Sequence, residues 1–203
     1  MSEPRIGRVL VASLHQAIAD VLPMRLEFYE SWLSATGLRD GTIGLGPLSA
    51  VLSFLRGEGQ AYTEITSRAG EYAAECMVRG LPAMERRLIA ALPAPLRARA
   101  ALRTARSLVH ATYPGSRAIV KLRRGSAEIE LRGSLFCEVR AASALPLCGY
   151  YATAIGRVLH LLSVNAAVQA VECRASGTRK GCTLMIAVGR RPQREAEMPE
   201  HAA

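Results

Sequence analysis

The spacing of apolar residues changes character midway along the chain. In the first half they recur every three to four positions, the repeat of a helix with one buried face. Arg8 to Leu22 carries Leu10, Leu14, Ile18 and Leu22 at intervals of four, and Pro23 ends the pattern. A second helix is expected over Leu26 to Thr36, closed by Gly37. The stretch Asp40-Gly-Thr-Ile-Gly-Leu-Gly-Pro47 reads as a loop. Its Gly44 and Gly46 have neither a strand before them nor a Lys-Ser/Thr after them, so they do not make a phosphate loop. A long helix is expected over Tyr62 to Met77, with Ile65, Ala69, Tyr72 and Cys76 on one side. Another is expected over Leu96 to His110, entered through Pro93 and Pro95.

After Tyr113 the period falls to two. Ala118, Val120 and Leu122 alternate with Arg117, Ile119 and Lys121. Beyond a turn at Arg123-Arg124-Gly125-Ser126, Ile129, Leu131, Leu135, Cys137 and Val139 alternate with charged residues such as Glu128, Glu130, Arg132 and Glu138. This is an antiparallel hairpin with one buried face, and Gly133 marks a bulge in it. A helix over Leu147 to Leu162 follows, with Cys148, Tyr151, Ala152, Ile155, Val158, Leu159 and Leu162 as its apolar stripe. Strands over Ala167 to Arg174 and Cys182 to Val188 close the pattern. The resulting fold class is α+β, with N-terminal helices packed on a C-terminal β-β-α-β-β antiparallel sheet. A helical half (about 1–113) and a sheet-containing half (about 115–190) are expected to form a single domain, and 191–203, charged and Pro-containing, a disordered tail.

Composition adds three constraints. The chain has 203 residues, half of them apolar but only ten aromatic, so Leu, Val, Ile and Ala must fill the core. No apolar run reaches the length of a membrane span, and Val9 to Ala12 is too short for a signal-peptide core, so a cytoplasmic location is expected. The net charge is +9, and Arg86 to Ala127 holds ten basic residues and no carboxylate. Arg99, Arg103, Arg106 and His110 share one face of their helix. That stripe suits an anionic ligand group or an acidic protein partner. It lacks the interleaved aromatics of a nucleic-acid surface.

The candidate chemistry lies in the cysteines. An odd count of five argues against a disulfide framework. Cys148 opens the last helix, while Cys173 and Cys182 flank the loop between the last two strands. Three thiolates converging there would suit tetrahedral zinc. Cys137, beside Leu135 and Val139, reads as a core residue rather than a ligand. There is no dinucleotide fingerprint, flavin motif or cluster-type cysteine spacing, and His15, His110 and His160 have no nucleophile motif beside them. A self-sufficient enzyme is therefore not expected.

The segments Ser134-Leu-Phe-Cys137, Leu147-Cys-Gly-Tyr-Tyr151 and Val171-Glu-Cys-Arg-Ala-Ser-Gly177, followed by Cys182, resemble the vinyl-4-reductase domain. The resemblance implies a fold similar to TRAPP-type tethering subunits. The family includes the protein assigned to bacteriochlorophyll 4-vinyl reduction and the sensor domains of phenol- and toluene-responsive activators. In those sensors three Cys and one Glu hold zinc near an aromatic pocket. Carried over, the thiolates are Cys148, Cys173 and Cys182, but the Glu position is held by Ala170 and the last Cys comes one residue late. The fourth ligand must then come from water, from Glu172 after a local bulge, or from a partner.

Three functions follow as expectations. The first is a small-molecule-binding domain, with Trp32, Phe54, Tyr72, Tyr150 and Tyr151 lining an apolar pocket, and Arg99, Arg103 and Arg106 contacting an anionic group. The second is a 4-vinyl-reductase-type or tetrapyrrole-carrying role in bacteriochlorophyll synthesis. The third is an interaction protein that forms a homodimer through its helices. Gly149, Thr153 and Gly156 line another face of the last helix and permit close approach of a backbone or a ligand.

Overall fold

The computed structural model describes residues 6–33, 44–123, 125–139, 142–177 and 181–188. Among them seven helices precede or interrupt a four-stranded sheet. The helices are α1 (Arg8–Val21), α2 (Leu26–Glu30), α3 (Leu45–Gly57), α4 (Gln60–Gly80), α5 (Ala83–Ala91), α6 (Ala94–Thr112) and α7 (Gly149–Leu161). The strands are β1 (Arg117–Arg123), β2 (Ser126–Arg132), β3 (Ala166–Glu172) and β4 (Cys182–Val188). The sheet order is β1-β2-β4-β3, antiparallel throughout. The class is α+β, as the change of period implies.

Alternation along the strands separates two faces. Ala127, Ile129 and Leu131 of β2 and Cys182, Leu184 and Ile186 of β4 are buried on the helix side. On the opposite face Lys121 pairs with Glu128 at 3.0 Å, beside Met185 and Gln169. Helix α7 packs against α4 on one side and β3 on the other. The α4–α7 contact is close because Gly70 has no side chain. A Cβ there would stand 2.5 Å from the Tyr150 carbonyl oxygen and 3.0 Å from the Ala154 nitrogen. Gly156 meets the Val168 side chain, and Ser67 and Thr153 hydroxyls hydrogen-bond at 3.1 Å, so the small-residue face of α7 is used for packing.

Several elements differ from expectation. The second helix ends at Glu30 and a turn carries the chain to Leu33; 34–37 lie outside the described residues. The expected 40–47 loop lies partly outside them too, and its end is already α3: Gly46 and Pro47 sit in the first turn, where a missing N–H costs nothing. Helix α5, where no helix is expected, is short and mostly exposed; of its residues Ile89 is buried while Met84 and Leu88 face outward. On α4 the buried side is Ile65, Ala69, Gly70, Ala73 and Ala74, leaving Tyr72 half-buried and Cys76 exposed. Small residues form the face that meets α1 and α7, so the bulkier side chains point away. The tail, 189–203, lies outside the described residues.

The largest difference is at Leu135 to Val139, expected as strand. β2 stops at Arg132, and Leu135–Cys137 forms a 3-10 turn. Gly133 adopts φ +67°, and a Cβ there would lie 2.3 Å from the Gly115 carbonyl oxygen. Only glycine accepts that conformation and that approach without strain. The chain therefore leaves the sheet at Gly133 and folds inward.

Candidate metal centre and adjoining cavity

That inward turn changes the role of Cys137. Its Sγ lies 3.5 Å from Cys173 Sγ and 3.3 Å from Cys182 Sγ, and those two are 3.8 Å apart. Cys148 completes the group: the four sulfurs all lie within 4.8 Å of one another, and all four residues are buried. The expected convergence of Cys148, Cys173 and Cys182 is present. Cys137 is buried as expected, but the reading of it as a packing residue apart from the group is corrected: it stands at the fourth corner.

Each thiol is placed by a different local device. Cys148 immediately precedes α7, and the backbone N–H groups of Tyr151 and Ala152 bond its carbonyl. Cys182 opens β4 opposite buried Leu131. Cys173 depends on a bulge in β3. Ala170 pairs with Leu184 and Glu172 with Thr183, so Val171 is the extra residue. Since alternate residues face opposite sides, one extra residue reverses everything after it. Glu172 therefore turns outward, where Thr183 Oγ1 donates to its carboxylate at 3.0 Å, and Cys173 turns inward. The bulge that would have brought Glu172 to the site instead excludes it.

The donor set fits a closed structural metal site. A tetrahedral zinc with sulfur at about 2.3 Å requires sulfurs about 3.8 Å apart, close to the three short separations here. Four sulfurs leave no open position for a substrate, unlike a catalytic zinc. The thiols also polarise one another. Contacts from Cys137 and Cys148 stabilise the thiolates of Cys173 and Cys182, lowering both pKa values. Backbone N–H groups assist: Leu147 donates to Cys173 Sγ at 3.3 Å and Arg174 to Cys182 Sγ at 3.5 Å. Cys137 is pushed up by its contacts with Cys148, Cys173 and Cys182 and by burial. A cation would remove that conflict by favouring the thiolate at every corner.

Beside the quartet is a cavity of about 970 Å³. One wall is α3 and the start of α4, with Ala50, Ser53, Phe54, Arg56, Tyr62 and Thr63. The other is the connection from Glu138 to Leu147, of which 140–141 lie outside the described residues. That connection begins next to Cys137 and ends next to Cys148, so two of the four thiols hold its ends. Arg56 ties the walls together: its Nη2 donates to the carbonyls of Phe136 and Glu138, at 3.1 and 3.4 Å, on either side of Cys137. The Tyr62 hydroxyl is buried without a hydrogen-bond partner of ordinary geometry. Burial pushes its pKa up to about 12, against the opposing pull of the Arg56 guanidinium beside it, with a smaller rise from the thiols of Cys137 and Cys173.

The five aromatic candidates do not line one pocket. Phe54 lines the cavity and touches Trp32 at 5.7 Å and Phe28 at 5.3 Å in a partly exposed cluster. Tyr150 and Tyr151 are fully buried, packed on Phe136 at 4.6 and 5.7 Å, and fill the core behind the cysteines. Tyr72 donates a hydrogen bond to Asp20 on the far side of α4. Arg99, Arg103 and Arg106 are exposed on α6 and do not line the cavity. Sequence reasoning passed over Arg56 and Tyr62, which carry no motif. It passed over Cys137 because alternation assigned it to a strand, although the Gly133 break was visible.

No family model matches the chain, and no curated protein matches it. Among solved structures, it is similar to the crystal structure of the phenol-responsive sensory domain of the transcription activator PoxR with phenol. The similarity covers 69% of this chain and 73% of that chain, with 13% sequence identity and a TM-score of 0.44. Among the described residues no single helix is long and apolar enough to cross a membrane.

Proposed function

We propose that this chain is a small-molecule-binding domain of the vinyl-4-reductase type, in which a structural zinc at Cys137, Cys148, Cys173 and Cys182 braces the binding cavity. One observation carries the reading: the cavity's Glu138–Leu147 wall is strung between two of four converging buried thiols. A cavity of this size falls in the range that holds cofactor- and drug-sized ligands. The motif resemblance across 134–182 agrees, with Cys137 taking the place of the family's Glu. Phe54 supplies aromatic wall, while Tyr150 and Tyr151 support the site from behind. When bound, the metal supplies cross-linking rather than chemistry: it joins the 3-10 turn, the start of α7 and the β3–β4 hairpin at one point.

Native mass spectrometry of the full chain tests the reading. One zinc per chain is expected, with a bound organic molecule when the protein comes from its own source. A chain that takes up no metal after reduction and zinc addition, and whose four buried thiols react as readily as exposed Cys76, would overturn it.

A further inference from the structure

The cavity is not evenly apolar. Phe54, Val139, Leu145, Pro146 and Leu147 supply its greasy surface, and Arg56 stands among them. No carboxylate forms an ion pair with Arg56 among the described residues. Its Nη2 is held by two backbone carbonyls, but its Nε is buried and has no hydrogen-bond partner. Glu138 contributes its carbonyl to Arg56 and keeps its own side chain exposed. A half-buried guanidinium with one buried donor unused is an incomplete arrangement. The hydroxyl of Tyr62, a residue that also lines the cavity and is 6% exposed, lies against the Arg56 guanidinium without a hydrogen bond of ordinary geometry, so it leaves that charge unneutralised.

We propose that the cavity takes an amphipathic acid: a small molecule with an apolar body packed on Phe54, Val139 and Leu145 and an anionic head received by Arg56. The inference rests on the ligand-binding reading above and names the ligand's class. Carboxylate, sulfonate and phosphate groups share the chemistry needed, two acceptor oxygens presented to adjacent guanidinium donors. Glu138 also lines the cavity, but its carboxylate forms no ion pair with Arg56, and the ligand would supply that partner. The anion contact expected of Arg99, Arg103 and Arg106 is thereby assigned to a different residue, inside the fold.

Two fluorescent probes that differ by one group test this. Anilinonaphthalenesulfonate carries an anionic head; phenylnaphthylamine has the same aromatic body without it. Both are titrated into the full metal-loaded chain. The anionic probe is expected to bind roughly tenfold or more tightly than the neutral one, the scale of one charge-assisted hydrogen-bonded contact. Arg56→Gln should abolish that difference while sparing the neutral probe, and Arg56→Lys should keep part of it. Metal content measured in each variant shows whether the Cys137 turn survives loss of the Arg56 bonds. Equal affinity of the two probes for the unaltered chain, or an anion preference that survives in metal-loaded Arg56→Gln, overturns the inference and leaves the cavity reading standing. Ala50→Trp fills the cavity and should eliminate binding of both. If both probes bind Ala50→Trp undiminished, they bind elsewhere, for instance on the exposed Met24–Phe28–Trp32 surface, and the cavity reading itself falls.

Discussion

Cys137 can be separated experimentally from every other buried cysteine. As a packing residue, its replacement by serine would remove little volume, and the other thiols would keep any metal. As a fourth corner, its loss would leave three thiolates and an open position. Even partners one shell removed from a metal typically alter affinity by about 10–100-fold, so loss of a direct ligand should exceed roughly tenfold. Cys137→Ser is therefore expected to lower zinc affinity by more than roughly tenfold, measured by competition with a chromophoric chelator, while Cys76→Ser leaves it unchanged. An unaltered affinity in Cys137→Ser would return this residue to the core. The sequence held part of this site in plain view. Cys148, Cys173 and Cys182 were recognisable because each lies at an element boundary. Cys137 was not, because alternation of side chains assumes an unbroken strand, and Gly133 at φ +67° breaks it. Arg56 and Tyr62 were illegible for another reason: their significance comes from their place beside the cavity and the Cys137 turn, which only the assembled fold defines.

At the scale of elements, the sheet was more legible than the helices. A two-residue period fixes both the strand and its buried face, and β4 falls where the alternation places it. A helical period fixes only a stripe, and α4 shows how that misleads. Weighting bulky residues points the stripe at Tyr72 and Cys76; the true contact face is Gly70, Ala73 and Ala74, chosen for how little space they fill. Gly70 is the tightest point of that contact, facing backbone atoms of α7 rather than flexible side chains. Gly70→Val should therefore force the two helices apart. The expected loss is about 1–3 kcal/mol or more, the range for overpacking a close-packed interior, read as a lower denaturation midpoint with unchanged slope. Since α7 starts directly after Cys148, its displacement should also weaken zinc binding. Normal stability in Gly70→Val would mean that the helices are not held at this distance.

For the molecule as a whole, the cysteine quartet, cavity and core are mechanically one object. Phe136 stacks on Tyr150 and meets Tyr151 edge-on behind the quartet, its carbonyl accepts from Arg56 in front, and its neighbour Cys137 supplies a sulfur. Structural zinc in small domains contributes about 10–16 kcal/mol of apparent binding energy, and that energy acts only on states in which the four thiols are together. Removing the metal should therefore do more than lower global stability. It should release the Glu138–Leu147 connection first, because its ends are tied at Cys137 and Cys148 and its middle residues, Ala144 to Pro146, are exposed. Hydrogen exchange is expected to accelerate over this connection on chelation, while α1 and α4 stay protected. Probe binding to the cavity should weaken in parallel, since the wall it requires is no longer held. Linkage makes the effect reciprocal: a cavity ligand that binds more tightly with zinc present must raise the affinity for zinc by the same factor. Uniform exchange across the chain on chelation, with probe affinity unchanged, would show that the thiols and the cavity are neighbours without being coupled.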